Sequence, residues 1–132
     1  MTDGLIITLV QCGQTMGDLA RNADAMLQAR AEAQDCDLVV FPELQLIGYP
    51  PEDLVLKPAL IARAETELER LAAATADGGP AMLVGSVFQR EGALYNGIAL
   101  LDGGQIAAVR LKHELPNYGT FDEKRLFASA PL

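Results

Sequence analysis

The sequence predicts an α/β protein whose mixed sheet is flanked by helices. Short apolar runs rich in β-branched residues indicate buried strands. The longer segments that connect the first three runs carry apolar residues at helical spacing. A pair of glycines between the last two apolar runs is typical of a β-hairpin. Strands that first alternate with helices and then form a hairpin predict a parallel sheet with an antiparallel edge.

The first two strands and the helix between them form the predicted parallel unit. Residues 4–11 are apolar and β-branched without helical spacing, which indicates a strand buried on both faces. From Asp18 to about residue 34 the apolar residues recur at helical spacing, and an acidic first turn suits the helix dipole. The second strand, residues 38–41, ends before Pro42, which cannot donate to a sheet ladder. A helix between two buried strands predicts a parallel β-α-β unit.

A second helix follows a loop that is rich in proline and glycine at residues 48–53. Pro58 fits the first turn of this helix, where proline is tolerated. Residues 77–80 end the helix with two glycines and a proline. The apolar stripe of the helix consists of Ile61, Ala64, Leu68, Leu71 and Ala72.

Three further apolar runs complete the predicted sheet. Residues 81–87 form a third strand that ends at a polar turn. Residues 95–101 and 105–111 flank the glycine pair and form the hairpin. Beyond Lys112 the periodic pattern ends, so a loop is expected for the rest of the chain.

The composition excludes several classes of function. A formal net charge of -8 over 132 residues disfavours binding to nucleic acid or to an anionic membrane, because both would repel the chain. No apolar stretch approaches the roughly 20 residues that a membrane-spanning helix needs. Two cysteines and one histidine are too few for a structural zinc site or a disulfide framework, so we expect no metal and a reducing, cytoplasmic location.

Two charged residues follow strand ends, where open α/β sheets place their ligand crevices. Glu43 follows the second strand, and a carboxylate at the edge of apolar walls suits a general base if another charge keeps it ionised. Lys112 ends the last strand, and its ammonium can orient Glu43 and stabilise a developing oxyanion. From position alone, a solvated strand-end acid and an edge-strand lysine are the more common roles. The catalytic interpretation predicts that the two side chains share one cleft.

An ordered set of motifs resembles the nitrilase-type carbon-nitrogen hydrolases. These motifs are Phe41-Pro42-Glu43, Gly48-Tyr49, Tyr95-Asn96 and Lys112-His113-x-Leu115-Pro116, in the order that is typical of these amidases. The stretches at residues 50–54 and 112–125 narrow the resemblance to the glutaminase domain of bacterial glutamine-dependent NAD synthetases. The resemblance extends over essentially the whole chain.

The resemblance implies a nitrilase-like α-β-β-α sandwich, of which residues 1–132 are the N-terminal portion. It also implies a Glu-Lys-Cys triad in which Glu43 is the general base and Lys112 stabilises the tetrahedral intermediate. As partners it implies glutamine as the substrate, a synthetase domain of the same parent chain, and a homo-oligomer. No cofactor is implied for this domain, whereas ATP and magnesium are implied for the synthetase domain.

Three further residues receive roles from the resemblance alone. Tyr118 is implied to line the glutamine pocket, and Tyr49 to lie near it. Glu123 is implied to be a second carboxylate that supports the lysine.

One member of the triad is missing from the sequence. The nucleophilic cysteine of the family lies well downstream of the lysine, and no cysteine follows Lys112. Cys12 and Cys36 match no nucleophile of the family and are interpreted as small buried hydrophobes. His113 is interpreted as a pocket-rim or structural residue. We therefore expect residues 1–132 to be a partial glutaminase domain that is inactive alone.

Two alternatives remain open. The chain can belong to a stand-alone carbon-nitrogen hydrolase that acts on a different amide or a nitrile. It can also be a non-catalytic module that uses the same sheet for oligomerisation or partner binding. An isolated front half of the sandwich is expected to expose an apolar sheet face and unpaired strand edges.

Overall fold

The computed structural model describes residues 4–119 and 121–132, which form a five-stranded mixed sheet with two helices packed against it. In chain order the elements are β1 (Ile7–Leu9), α1 (Leu19–Glu32), β2 (Leu38–Val40), α2 (Pro58–Ala74), β3 (Ala81–Arg90), β4 (Ala93–Asp102) and β5 (Gln105–Leu111). Three short 3-10 helices lie at Glu52–Leu56, Thr75–Asp77 and Glu123–Arg125.

The strands lie in the sheet in the order in which they occur in the chain. β1, β2 and β3 are mutually parallel, and β4 and β5 are added in antiparallel fashion. Gly103 and Gly104, with φ of 60° and 84°, form the two-residue turn between β4 and β5, where positive φ matches the twist of the strands. The predicted mixed α/β sheet, with its parallel β-α-β unit and antiparallel edge, is confirmed.

Local sequence determines where both helices begin. Asp18 is the N-cap of α1, and its side chain accepts a hydrogen bond from the backbone N–H of Arg21 at 3.2 Å. Pro58 occupies the first turn of α2, as predicted. The five residues of the predicted apolar stripe of α2 are all buried against the sheet and α1.

The hydrophobic core lies between the helices and one face of the sheet. Val39, Met82 and Leu101 are neighbours across β2, β3 and β4, and all three are fully buried. α1 and α2 contact each other on this face. Because neighbouring residues of a strand point to opposite faces, the residues that alternate with the core residues lie on the other side of the sheet.

That other side is open and apolar, and we call it the open face. It includes Ile7, Leu9 and Ile98, whose exposed fractions are 46%, 76% and 40%. The prediction that the first strand is buried on both faces is wrong. β1 is an edge strand of only Ile7–Leu9, and no element of the described residues covers this side of it.

Within the described ranges, no helix combines the length and the hydrophobicity that crossing a membrane requires.

Candidate active site

Glu43 lies just beyond the carboxyl end of β2, in a loop that is pressed against β3. The N–H of Phe41 still bonds to the carbonyl of Leu83 at 3.1 Å, so the loop leaves the sheet only at Pro42. Leu44 then adopts a left-handed conformation with φ of 51°. A side chain at Gly85 of β3 would strike the Leu44 nitrogen and would lie 2.8 Å from the Pro42 carbonyl oxygen. The missing side chain at this position lets the loop that carries Glu43 lie directly on the sheet.

Lys112 follows β5 directly and reaches the same place from another strand. Its backbone N–H bonds to the carbonyl of Asn96 in β4 at 2.7 Å. The Nζ atom of Lys112 lies 2.5 Å from Oε1 of Glu43, close enough for a charge-assisted hydrogen bond. The two side chains that the strand ends are expected to bring together therefore lie in one cleft.

Glu123 continues this arrangement on the other side of the lysine. Both of its carboxylate oxygens lie 3.2 Å from Nζ of Lys112, and one of them accepts the hydroxyl of Tyr49 at 3.0 Å. Glu123 is buried, with an exposed fraction of only 4%, and its two donors offset the cost of removing its charge from water. The result is a continuous series of hydrogen bonds from Glu43 through Lys112 and Glu123 to Tyr49, which we call the ion chain.

Burial and the neighbouring carboxylates determine the pKa values of Lys112 and Tyr49. Burial alone would lower the pKa of the Lys112 ammonium, but its hydrogen bonds to Glu43 and Glu123 outweigh that effect and raise the pKa. Burial is also the largest cause that raises the pKa of Tyr49 to about 12, and the hydrogen bond to Glu123 adds to it. Lys112 is therefore charged at neutral pH, and Tyr49 is a neutral O–H donor.

Two cavities adjoin the chain of charges. The first, of about 350 Å³, opens on the face of the sheet away from the helices and is lined by Glu43, Asn96, Lys112 and Arg110 among others. The second, of about 260 Å³, is lined by Tyr49 and Glu123 together with the loops around residues 50–52 and 121–126. The ion chain thus lies between the two cavities, and Glu43 and Lys112 line the first of them.

Among the described residues, Tyr118 is the one predicted site residue that makes no hydrogen bond to the ion chain. It is 71% exposed, and its ring contacts Phe121 edge-on at 5.7 Å between centroids. Its implied role in lining a glutamine pocket stays a prediction.

Asn96 is a site residue that the sequence reasoning did not single out. Its side-chain amide donates to Oε1 of Glu43 at 2.6 Å, and the residue is only 2% exposed. Two features of the sequence could have identified Asn96. It belongs to the family motif Tyr95-Asn96, and it is a polar residue within an apolar strand.

The two cysteines and the histidine lie outside the ion chain. Sγ of Cys12 accepts a hydrogen bond from the amide of Gln45 at 3.2 Å, and the thiol of Cys36 donates to the carbonyl of Ala33 at 3.0 Å. Both cysteines are only partly buried, so the prediction that they are buried hydrophobes is met in part. The ring of His113 bonds to the carbonyl of Ala130, a structural contact.

The mixed α/β sheet, with Glu43 and Lys112 beyond two of its strand ends, has the fold of the nitrilase superfamily, which the solved neighbours share. More narrowly, the chain belongs to the carbon-nitrogen hydrolase family, whose model matches residues 6–131.

Curated sequences similar to this chain include glutamine-dependent NAD(+) synthetases. The one from Rhodobacter capsulatus is 42% identical over 134 residues, which cover 100% of this chain and 24% of that protein. The one from Thermotoga maritima is 42% identical over 125 residues, covering 93% of this chain and 22% of the relative. The chain therefore spans about a quarter of the length of the curated relatives that it matches.

Solved structures that resemble this chain include both a synthetase and an amidase. The synthetase from Acinetobacter baumannii superposes with a TM-score of 0.82 at 37% identity, over 97% of this chain and 24% of that one. An amidase from Nesterenkonia sp. superposes with a TM-score of 0.77 at 25% identity, over 99% of this chain and 52% of that one.

Proposed function

We propose that this chain is the front part of the glutaminase domain of a glutamine-dependent NAD synthetase, which hydrolyses the side-chain amide of glutamine and supplies ammonia for NAD synthesis. The observation that carries the proposal is the contact of Lys112 with Glu43 on one side and Glu123 on the other. The identity of about 40% to curated synthetases, and of 37% to a solved synthetase against 25% to a solved amidase, favours a synthetase.

The geometry supports a division of roles between the two charged groups. Glu43 takes the proton of a cysteine thiol, and the electron pair of the sulfur forms the bond to the amide carbon. The Lys112 ammonium stabilises the negative charge that develops on the carbonyl oxygen. The proton then passes to the departing nitrogen, ammonia leaves, and water hydrolyses the glutamyl thioester.

The nucleophile is proposed to come from sequence beyond residue 132. Neither Cys12 nor Cys36 makes a hydrogen bond to Glu43 or Lys112 in the described ranges. One Nesterenkonia amidase structure shows covalent addition of an acetamide moiety at an active-site cysteine, which supports a cysteine nucleophile for this family. We therefore propose that the 132 residues alone do not turn over glutamine.

The open face supports the proposal that the domain continues. Leu9 on this apolar surface is 76% exposed, and contact between apolar side chains and water is unfavourable in free energy. A second layer of structure would bury this surface. The amidase neighbour is about twice as long as this chain, so half of its length remains to form such a layer. The site faces the same side, and the layer would also enclose it.

The test is an assay of the full-length protein that contains this chain. Glutamate release from glutamine should be readily measured, should fall at least about 10³-fold in Glu43→Gln, and should be undetectable for residues 1–132 alone. NAD formation with added ammonium should persist in the Glu43→Gln protein, because only the supply of ammonia is interrupted. Wild-type rates of glutamate release from Glu43→Gln, or enzyme-dependent release by the 132-residue chain, would contradict the proposal.

A stand-alone amidase is the second candidate, and the superposition on the Nesterenkonia amidase favours it. It predicts hydrolysis of a simple amide or nitrile by the full-length protein without any formation of NAD. The same full-length preparation, given glutamine, acetamide and ammonium in parallel, separates the two functions.

A further inference from the structure

The two carboxylate oxygens of Glu43 have different surroundings. Oε1 accepts two hydrogen bonds, from the amide of Asn96 at 2.6 Å and from the ammonium of Lys112 at 2.5 Å. Oε2 accepts no hydrogen bond from any residue in the described ranges. Because each donor withdraws electron density from the oxygen it contacts, the oxygen without a donor keeps the more basic lone pairs.

Asn96 is held more rigidly than either charged partner. It lies inside β4, pairs with Val87 of β3, and accepts the backbone N–H of Lys112 at its carbonyl. A carboxylate can only accept hydrogen bonds, so the nitrogen of the buried amide must face Glu43. Asn96 therefore fixes the position of one carboxylate oxygen relative to the sheet.

Lys112 cannot fix that orientation by itself. Its side chain has four methylene groups, and its ammonium is shared between Glu43 and Glu123. The side chain of Glu43 is 42% exposed, so little packing restrains the rotation of its carboxylate. Without the amide of Asn96, the plane of the Glu43 carboxylate can rotate while one oxygen stays bonded to the lysine.

We infer that Asn96 is a positioning residue for amide hydrolysis, which holds Oε1 of Glu43 so that Oε2 is the atom that accepts the proton. This inference rests on the proposed function. In the step concerned, the S–H bond of the nucleophile breaks, the proton forms an O–H bond to Oε2, and the electron pair of the sulfur attacks the amide carbon. Oε2 later returns the same proton to the departing nitrogen, so Asn96 acts in both steps through Glu43.

The first test compares Asn96→Leu with the wild-type full-length protein. Leucine has about the same size but donates no hydrogen bond. We expect kcat for glutamine hydrolysis to fall roughly 10- to 100-fold while KM changes by less than about threefold, because the amide of Asn96 is bonded to Glu43 and acts through it. Asn22→Leu is the matched control, since Asn22 is another buried amide, bonded to the carbonyls of Thr15 and Leu46.

The second test is a pH profile, which general structural damage would not shift. The charged groups that face Glu43 are Lys112, with Glu123 behind it, and Arg110 in the wall of the cavity. In Asn96→Asp a carboxylate stands beside Oε1, so a proton is held between two oxygens. The acidic limb of kcat/KM should move to higher pH by about one unit or more. In Asn22→Leu the acidic limb should stay in place.

A third measurement needs no substrate. In full-length protein with carbon-13 at the glutamate carboxyl groups, the pH midpoint of the Glu43 signal should be higher in Asn96→Asp than in the wild type. An unmoved midpoint, or an Asn96→Leu protein with wild-type kcat and pH profile, would overturn the inference. If the wild type hydrolyses no glutamine, the proposed function fails and the role of Asn96 in hydrolysis fails with it, whereas an unmoved midpoint in an active protein overturns the inference alone.

Discussion

Oε1 of Glu43 and Nζ of Lys112 lie 2.5 Å apart although 69 positions separate the two residues in the chain. Glu43 lies three residues beyond the end of β2, Lys112 directly follows β5, and β4, which pairs with β5, supplies Asn96 to the same carboxylate oxygen. The site is thus a property of the sheet rather than of any local motif.

Replacement of Lys112 should test whether its ammonium stabilises the negative charge that develops on the amide oxygen. In the full-length protein, Lys112→Met keeps most of the side-chain volume but removes the ammonium. We expect kcat/KM for glutamine hydrolysis to fall about 10²- to 10³-fold, as when a donor to a developing oxyanion is lost. Lys57→Met is the control, because Lys57 is exposed and lies outside the ion chain. A Lys112→Met protein that keeps wild-type kcat/KM would remove Lys112 from the mechanism.

Tyr49 should remain a neutral phenol well into the alkaline range. Its pKa is raised to about 12, first by burial and then by the hydrogen bond to Glu123. Carbon-13 NMR of the tyrosine Cζ atoms should therefore show one signal, absent from Tyr49→Phe, that still belongs to the neutral form at about pH 11. In Glu123→Gln the pKa of Tyr49 should fall but stay above its ordinary value, because burial remains.

The same shift predicts the pH dependence of stability. A pKa that is higher in the folded state favours the folded protein below the unfolded value of about 10, and this contribution disappears as the pH rises toward 12. The difference in free energy of unfolding between wild type and Tyr49→Phe should therefore shrink above about pH 10. A difference that grows with alkaline pH would contradict the raised pKa of Tyr49 in the folded state.

Sequence patterns predicted the elements well because their causes are local. Pro58 and the stripe from Ile61 to Ala72 define α2, and the glycine pair defines the last hairpin. The burial of β1 was predicted wrongly, because an apolar strand indicates that something covers it but not which element does so. Its position at the edge of the sheet depends on pairing across the whole molecule.

The charged part of the site could be predicted from strand ends, but its neutral parts could not. Glu43 and Lys112 stand where the carboxyl ends of strands meet. The hydrogen bond from Asn96 depends on the register between β4 and β5, and the close approach at Gly85 depends on how the following loop folds back. Neither distance is encoded in spacing along the chain.

Gly85→Ala should displace the loop that carries Glu43. The added methyl group would meet backbone atoms of Pro42 and Leu44, which cannot rotate away as a flexible side chain can. We expect a loss of about 1–3 kcal/mol in the free energy of unfolding and a fall of about 10²-fold in kcat. Gly13→Ala is the matched control, because nothing lies within 4 Å of its added methyl group. Equal behaviour of the two variants would show that the contact has no role in positioning Glu43.

The open face should make the 132-residue chain bind hydrophobic dyes and self-associate. Exposed apolar surface of this kind binds ANS, and we expect the full-length protein to bind much less per molecule. Leu9→Ser should lower ANS binding with little change in stability, because Leu9 is already 76% exposed. Leu56→Ser is the control at an exposed leucine in a 3-10 helix rather than on the sheet face. A monodisperse, ANS-silent 132-residue monomer would count against a missing second layer.

The ion pair between Arg30 and Asp77 should make stability depend on pH in the acidic range. Arg30 is 4% exposed and donates to the carbonyl of Pro80 at 2.9 Å and to Asp77 at 2.7 and 3.0 Å, which ties the end of α1 to the turn before β3.

The hydrogen bond from Arg30 is the largest cause that holds the pKa of Asp77 well below its usual range. A carboxyl group whose pKa is lower in the folded state stabilises the protein above the unfolded value of about 3.9, and this contribution is lost as the pH falls below it. Asp77→Asn should therefore lower the free energy of unfolding at pH 7 by more than at pH 3, as measured by urea denaturation. In an Arg30→Met background the effect of Asp77→Asn should lose most of its pH dependence, because its main cause is gone. An effect that is the same at both pH values in the wild-type background would show that the Asp77 carboxylate does not depend on Arg30 for its ionisation.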